Sequence, residues 1–200
     1  DFSEPNQRFV DAFVEAFPEL REGAVLDLGC GPGDIVFRLA QRCPGLTVHG
    51  LDGARAMLAH GERRLAAEPA LQGRVRFVEG VLPGARLPRA SYDAITSNSL
   101  LHHLHDPLGL WRAVRSAAAP GAAVLVMDLF RPESPEAAAA IVERHSGAEP
   151  EVLKRDFFHS LCAAFSPDEV RGQLAAAGLE ALQVRTVSDR HLTVSGRLAG

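Results

Sequence analysis

The chain has 200 residues, of which 46% are hydrophobic and 23% are charged. A chain of this length buries roughly 70% of the surface that its unfolded form exposes, so these values predict one packed globular domain and exclude a disordered or fibrous protein. The formal net charge of −4 provides no positive field for phosphate backbones. We therefore expect no nucleic acid partner.

Cysteine content and hydropathy restrict the cellular setting. The three cysteines are too few, and odd in number, for a disulfide framework, which favours a reducing compartment. The sequence has no run of about 18 apolar residues, the length that crosses a bilayer. Asp1–Pro5 also lacks the basic and then apolar pattern of a signal peptide. We expect a cytoplasmic protein with no membrane partner.

Most of the chain alternates between strand and helix patterns. An amphipathic helix is predicted between residues 6 and 20, with Pro18 marking its end. After it, the predicted strands are 24–28, 47–51, 75–78, 92–96 and 122–127, and the predicted helices are 35–42, 57–67 and 108–118. This alternation predicts a doubly wound α/β fold with helices on both faces of a mostly parallel sheet.

The C-terminal part departs from this alternation. Residues 136–145 and 167–177 have helical patterns, and residues 181–187 and 192–198 are rich in strand-forming residues. The link between the last two runs, Ser188–His191, is too short for a parallel crossover, which predicts an antiparallel hairpin. The long stretch 130–165 lacks a clear pattern as a whole and is expected to form a lid or a binding loop.

The strongest functional signal is the sequence VLDLGCGPGD at residues 25–34, where three glycines follow an apolar strand and precede a helix. Such a turn lets a ligand approach backbone N–H groups closely. A dinucleotide fingerprint needs its third glycine at the position of Asp34. Asp34 and Asp27 disfavour a pyrophosphate but tolerate a ligand with an ammonium or sulfonium group.

Asp52 ends the next predicted strand, 19 residues after Gly33. A carboxylate at this position can accept hydrogen bonds from both hydroxyl groups of a ribose. The combination of Asp52 with the glycine turn therefore predicts a ligand that contains ribose and lacks a diphosphate.

These residues resemble the class I S-adenosylmethionine-dependent methyltransferases. The first motif of that family is similar to residues 25–33, its ribose-binding acid to Asp52, its fourth motif to residues 92–104, and the turn before its fifth strand to Pro120–Leu125. The resemblance runs in order from residue 24 to residue 128. It implies S-adenosylmethionine as the cofactor and a Rossmann-like, seven-stranded sheet whose antiparallel last strand lies between the fifth and the sixth.

The resemblance also implies a set of cofactor-binding residues at the ends of the predicted strands. They are Asp27, Gly29, Cys30, Gly31, Gly33, Asp52, Gly53, Gly80, Val81, Ser97 and Asn98. The family often has an acid for the adenine amino group where this chain has Val81. We expect adenine to be held by backbone groups near Gly80 and Val81, by apolar contacts, or by Glu79. Cys30 is interpreted as a small packing residue and not as a nucleophile.

The acceptor side of the site is expected at the carboxyl ends of the later strands. Methyl transfer needs a base only when the acceptor carries a proton, and His102, His103 and His191 are the candidates. His102 and His103 lie in segment 101–106, whose histidine and carboxylate side chains could also form a metal site. We expect no metal there. The residues predicted to line the substrate are Phe130, Arg131, His159 and Arg190. The alternative for the hairpin turn is a set of solvated turn residues.

We expect a single methyltransferase domain over residues 1–200. Residues 1–23 would cover the site, residues 24–128 would bind the cofactor, and residues 129–200 would form the substrate side and the hairpin. The expected function is methyl transfer to oxygen, nitrogen or carbon of a small organic acceptor, by a monomer or homodimer. The alternatives are a non-catalytic S-adenosylmethionine-binding module and an enzyme for a peptide or carrier-bound substrate. Asp34 disfavours a nicotinamide-dependent reductase.

Overall fold

A computed structural model describes residues 3–199, in which seven strands and seven α-helices alternate along most of the chain. The strands are β1 Glu22–Leu28, β2 Gly45–Asp52, β3 Val75–Glu79, β4 Tyr92–Asn98, β5 Ala118–Leu129, β6 Gln183–Thr186 and β7 His191–Arg197. The helices are α1 Ser3–Ala16, α2 Asp34–Arg42, α3 Arg55–Ala66, α4 Leu108–Ala117, α5 Pro135–Ser146, α6 Glu151–Ala163 and α7 Pro167–Ala177. Short 3₁₀ turns lie at Pro69–Leu71 and Leu101–His103.

The seven strands form one sheet in the order β3-β2-β1-β4-β5-β7-β6. The first five run parallel to one another, whereas β7 is antiparallel to both β5 and β6. The predicted α/β fold and the insertion of the last strand are therefore confirmed. Chain order reverses between β1 and β4, and the carboxyl ends beside such a reversal form a crevice in which ligands bind.

Two apolar cores lie on opposite faces of the sheet because successive side chains of a strand point to opposite sides. On one face, Leu26 and Val126 pack with Trp111 of α4. On the other face, Val25 packs with Phe9 of α1 and with residues of α2. Both faces are covered, which explains why the central strands read as nearly continuous apolar runs in the sequence.

The stretch 130–165 is more regular than predicted. The helix expected at 136–145 is confirmed as α5, but the rest was wrongly interpreted as a loop, since residues 151–163 form α6. These two helices pack on each other around a small cluster that includes Ile141 and Leu161. Leu161 is the one residue of α6 that is fully buried, whereas Val152 and Leu153 are half exposed. The apolar residues of this helix are therefore not confined to one face, and the sequence shows no clear amphipathic pattern there.

The buried Trp111 tests the packing of the sheet against α4. Its side chain is 0% exposed, and its Nε1–H donates to Gln173 Oε1 over 2.9 Å. We expect Trp111→Ala to lower the free energy of unfolding by about 3–5 kcal/mol, because it leaves a cavity and an unpaired amide. Urea denaturation measures this change. The control Val152→Ala, on the exposed part of α6, should change stability by less than about 0.5 kcal/mol, and equal effects of the two variants would contradict this packing.

Candidate active site

The glycine turn between β1 and α2 leaves open space above the sheet. Its three glycines have positive φ angles, and a Cβ atom added at Gly31 would meet no heavy atom within 4 Å. The turn is anchored from below, because the N–H groups of Gly29 and Cys30 both donate to the carbonyl oxygen of Leu51 in β2. A rigid backbone with open space above it permits the close approach of a ligand that the sequence predicts.

Asp52 lies at the end of β2 and bridges two backbone segments. Its Oδ2 accepts a hydrogen bond from Gly31 N over 2.8 Å, and its Oδ1 accepts one from Ala54 N over 2.7 Å. A carboxylate has about four acceptor positions, so each oxygen can accept a further hydrogen bond. Asp52 can therefore hold the glycine turn and a pair of ligand hydroxyl groups at the same time.

An apolar cleft of about 120 Å³ opens beside Asp52. Five predicted cofactor residues line it, namely Gly29, Asp52, Gly53, Gly80 and Val81. Four leucines that the sequence analysis missed complete the lining: Leu51, Leu82, Leu100 and Leu104. Three of them share a signal, a leucine within three residues of the end of a strand, whereas Leu104 follows the 3₁₀ turn after β4. A cleft of this kind can hold a flat heterocycle by apolar contact, with Val81 exposed at its rim.

Asp27 is buried under the glycine turn. Its side chain accepts a hydrogen bond from Thr96 Oγ1 over 2.8 Å. Burial raises the pKa of Asp27 to about 7, the Thr96 hydrogen bond opposes this shift, and the nearby charge of Asp52 adds to it. The pKa of the Cys30 thiol is also raised, chiefly by burial, so the thiol stays protonated. Asp27 and Asp52 both lie where a cationic ligand would stabilise a carboxylate.

Asp34 is less available to a ligand than the sequence predicts. It begins α2, and its Oδ1 pairs with Arg64 Nη1 of α3 at 3.1 Å. Both side chains are about half exposed, and this ion pair compensates part of the charge of Asp34. The acidic character of the site therefore depends mainly on Asp27 and Asp52.

Ser97 and Asn98 end β4 and point to different environments. Ser97 Oγ is buried and donates to the carbonyl oxygen of Leu28, so this side chain joins two strands and does not face the crevice. Asn98 Nδ2 lies 3.5 Å from Asn6 Oδ1 of α1. Asn98 Oδ1 is buried and, within residues 3–199, has no hydrogen-bond donor. An orphaned acceptor of this kind fits a donor group on a ligand.

A buried acid at the end of β5 organises the two adjacent histidines. Asp128 Oδ2 accepts from Leu101 N over 2.6 Å, and Asp128 Oδ1 lies 2.5 Å from His102 Nδ1. A carboxylate only accepts, so His102 Nδ1 carries the proton and its ring is fixed in one orientation. The ring of His103 stacks on that of His102 with centroids 4.0 Å apart. Asp128 had no predicted role, although the same signal, an acid at the end of a strand, predicted Asp52.

The two candidate histidines that are open to water differ in their surroundings. His103 is exposed, and burial of part of its ring lowers its pKa, as does the neighbouring His102. Burial and the charge of Arg190 lower the pKa of His191 to about 4, and Ser188 Oγ lies 3.1 Å from its Nδ1. Both rings are therefore neutral near pH 7 and able to accept a proton.

The predicted substrate-side residues are only partly brought together. Arg190 lies in the hairpin turn next to His191, and Phe130 N donates to the carbonyl oxygen of Arg190 over 2.9 Å. Arg131 instead bonds Ala164 O and Glu169 at the start of α7. His159 is exposed on α6 and contacts Phe158. A larger groove of about 450 Å³ lies between α7 and β6 and includes none of these residues.

Residues 3–199 also lack two features that would suggest other functions. This part of the chain holds no group of three or more His, Cys, Asp or Glu side chains that could bind a metal ion. None of its helices combines the length and the hydropathy that a membrane crossing requires.

Comparisons with known proteins identify relatives of the chain. A family model described as a methyltransferase domain matches residues 26–124. An uncharacterised methyltransferase of Mycobacterium tuberculosis is 32% identical over 122 residues, which are 61% of this chain and 58% of that protein. A demethylmenaquinone methyltransferase of Thermus thermophilus is 30% identical over 138 residues, 69% of this chain and 59% of that protein. The matched region thus spans less than two thirds of either relative.

The fold is also found among solved structures. The crystal structure of a SAM-dependent methyltransferase from Aquifex aeolicus has a TM-score of 0.70 to this chain at 19% sequence identity. The match covers 95% of this chain and 89% of that chain. The two proteins therefore share their architecture over nearly their whole length.

The buried acid provides a test that needs no ligand. Because the pKa of Asp27 is higher in the folded protein than its ordinary value of 3.8, the folded state holds a proton that the unfolded state loses between pH 4 and 7. Stability from this group is complete below pH 4 and is lost as the pH rises towards 7. We expect Asp27→Asn to remove that loss, which makes the variant more stable than the parent at pH 8 by up to about 4 kcal/mol.

Urea denaturation at pH 5 and pH 8 measures the effect. The matched control is Asp11→Asn, at an exposed position of α1, which should leave the pH dependence unchanged. A parent protein that loses no more stability between these pH values than Asp27→Asn would show that Asp27 is ionised throughout.

Proposed function

Because the chain belongs to the class I S-adenosylmethionine-dependent methyltransferase family, we propose that it transfers a methyl group from S-adenosylmethionine to a small organic acceptor. The name of the Thermus thermophilus relative identifies a small-molecule acceptor, which supports the same class of acceptor here. The observation that carries the proposal is the arrangement of Asp52 between the open glycine turn and the apolar cleft.

The parts of S-adenosylmethionine match distinct features of this crevice. The free acceptor positions on Asp52 suit the ribose hydroxyl groups, and the leucine-lined cleft suits adenine by apolar contact. The orphaned Oδ1 of Asn98 suits the ammonium group of the methionine part. Asp52 provides negative charge near a cationic ligand, and such a ligand would favour the ionised form of Asp27, whose pKa is raised to about 7 without it. No group here would require a diphosphate.

S-adenosylmethionine, when bound, supplies an electrophilic methyl group on a sulfonium sulfur. The protein then has to orient the acceptor in line, exclude water and accept a proton if the acceptor carries one. Helix α1 contributes to the cover, because its Asn6 lies against Asn98 at the end of β4. The acceptor atom is an oxygen, a nitrogen or a carbon.

His103 is the candidate proton acceptor on the acceptor side. It is exposed and neutral near pH 7, whereas His102 is 6% exposed and is held through Nδ1 by Asp128. Asp128 and His102 therefore act as positioning residues that present the ring of His103 at the end of β4. His191 is a second neutral histidine near this edge, and its low pKa makes it the weaker base.

Binding of the cofactor tests the first half of the proposal. We expect Asp52→Ala to weaken the binding of S-adenosylmethionine and S-adenosylhomocysteine by roughly ten- to a hundredfold. The substitution removes hydrogen bonds to a charged group together with the bond that anchors Gly31. Isothermal titration calorimetry measures both affinities. The control Asp168→Ala removes an exposed carboxylate of α7 and should leave them unchanged. Unchanged affinity in Asp52→Ala would remove Asp52 from the site.

Turnover tests the second half. With a pool of small hydroxylated and aminated acceptors, we expect His103→Gln to slow formation of S-adenosylhomocysteine by about a hundredfold without changing cofactor affinity. Because burial and His102 lower the pKa of His103 from its ordinary value of 6.5, the rate of the parent should hold at pH 6.5 and fall only at a lower pH, where His103 becomes protonated. The matched control is His105→Gln, which removes an exposed histidine two positions away. Equal rates in the two variants would exclude His103 as the base.

The same assay separates the alternative functions. Tight binding of S-adenosylmethionine without product from any acceptor would favour a non-catalytic binding module. Product formed only with peptides or carrier-bound acceptors would favour an enzyme for those substrates.

A further inference from the structure

A cluster of charged side chains joins the end of α5 to the turn between β6 and β7. At its centre, Asp189 accepts hydrogen bonds from Arg144 Nη1 over 2.9 Å, from His145 Nε2 over 2.8 Å and from Arg190 Nη1 over 2.9 Å. These bonds lower the pKa of Asp189 to about 2, so it is ionised at neutral pH. Two arginines surround one carboxylate, which leaves the cluster with an excess of one positive charge in a chain whose net charge is −4.

The hydrogen bonds within this cluster are incomplete. His145 Nε2 lies 2.8 Å from Asp189 Oδ2 and also 2.9 Å from Arg190 Nη1. A ring nitrogen either donates its proton or accepts one, and both neighbours cannot be satisfied together, because Asp189 only accepts and Arg190 only donates. When His145 donates to Asp189, an N–H group of Arg190 is left facing a donor. An anion placed beside Arg190 would accept that hydrogen bond and remove the conflict.

The cluster lies next to His191, one of the histidines of the candidate active site. In the sheet, Asp128 pairs with Leu192 and Leu129 pairs with His191, directly after Arg190. The charge of Asp128 also reaches His191, where it raises the pKa against the larger effect of burial. All four side chains of the cluster are partly exposed, from 25% for Arg190 to 62% for Arg144, so a ligand can reach them.

We propose that Arg190 and Arg144 bind a carboxylate group of the methyl acceptor, which makes a small organic acid the substrate. The inference rests on the proposed function, because it adds the chemical class of the acceptor to the same site. The planar guanidinium of Arg190 suits a carboxylate, because its parallel N–H groups match the two carboxylate oxygens. His145 then donates to Asp189, so ligand binding and the internal bonds of the cluster support each other.

Direct anion binding tests the inference without turnover. Benzoate is titrated calorimetrically at pH 7 into the chain saturated with S-adenosylhomocysteine, with benzamide as the neutral match and inorganic phosphate as a second anion. We expect benzoate to bind and benzamide not to bind. Arg190→Gln should weaken the affinity for benzoate by at least about tenfold. Arg144→Gln, at a more exposed position, should also weaken the affinity for benzoate. This variant provides the test if Arg190→Gln does not fold. The control Arg171→Gln, which removes an exposed arginine of α7, should bind benzoate like the parent.

The outcomes are distinct. Equal benzoate affinity in the parent, Arg190→Gln and Arg144→Gln would overturn the inference, as would equal binding of benzamide. Binding of phosphate without binding of benzoate would overturn the assignment of a carboxylate. If S-adenosylhomocysteine itself fails to bind, the proposed function fails. The benzoate titration of the free chain then still shows whether the two arginines hold a carboxylate.

Discussion

The carboxylate of Asp52 holds together the parts of the molecule on which the site depends. It binds the backbone of Gly31 in the turn after β1 and the backbone of Ala54 at the start of α3, so one side chain fixes the two segments that follow adjacent strands. The leucine-lined cleft opens beside this bridge. A shift of Asp52 would therefore disturb the open space above Gly31, the entry to α3 and the wall of the cleft together.

The acids beside the glycine turn and the two arginines proposed to hold the acceptor lie at different strands of the sheet, and this division follows from topology. The acids Asp27 and Asp52 lie on β1 and β2, near the reversal of chain order, whereas Arg144 and Arg190 lie near β7. The separation suits a cationic methyl donor and an anionic acceptor, since each half attracts one reactant and disfavours the other. Asp128 and the histidines lie between these halves, at the ends of β4 and β5.

Local sequence patterns predicted the strands and the glycine turn, whereas the place of the last strand within the sheet was predicted from the family resemblance. The glycine turn and the final hairpin depend on neighbours within a short segment, and Asp52 was found because it directly ends an apolar strand, although its bond to Gly31 spans 21 positions. The Asp128–His102 pair was not predictable, because it joins residues 26 positions apart through the pairing of β4 with β5. Arg131 was expected near the substrate, but Glu169, 38 positions later, holds its guanidinium at α7. Contacts of this range depend on packing, which periodicity does not encode.

The antiparallel strand β7 is the element that connects the proposed acceptor side to the sheet. It carries His191 at one end and pairs with β5 along its length, while α5 contacts its preceding turn through Asp189. The turn Ser188–Arg190 projects from the sheet without taking part in the glycine turn or the leucine-lined cleft. Replacement of this short hairpin tip is thus a route to redirect acceptor choice by engineering while the nucleoside half of the scaffold is kept constant.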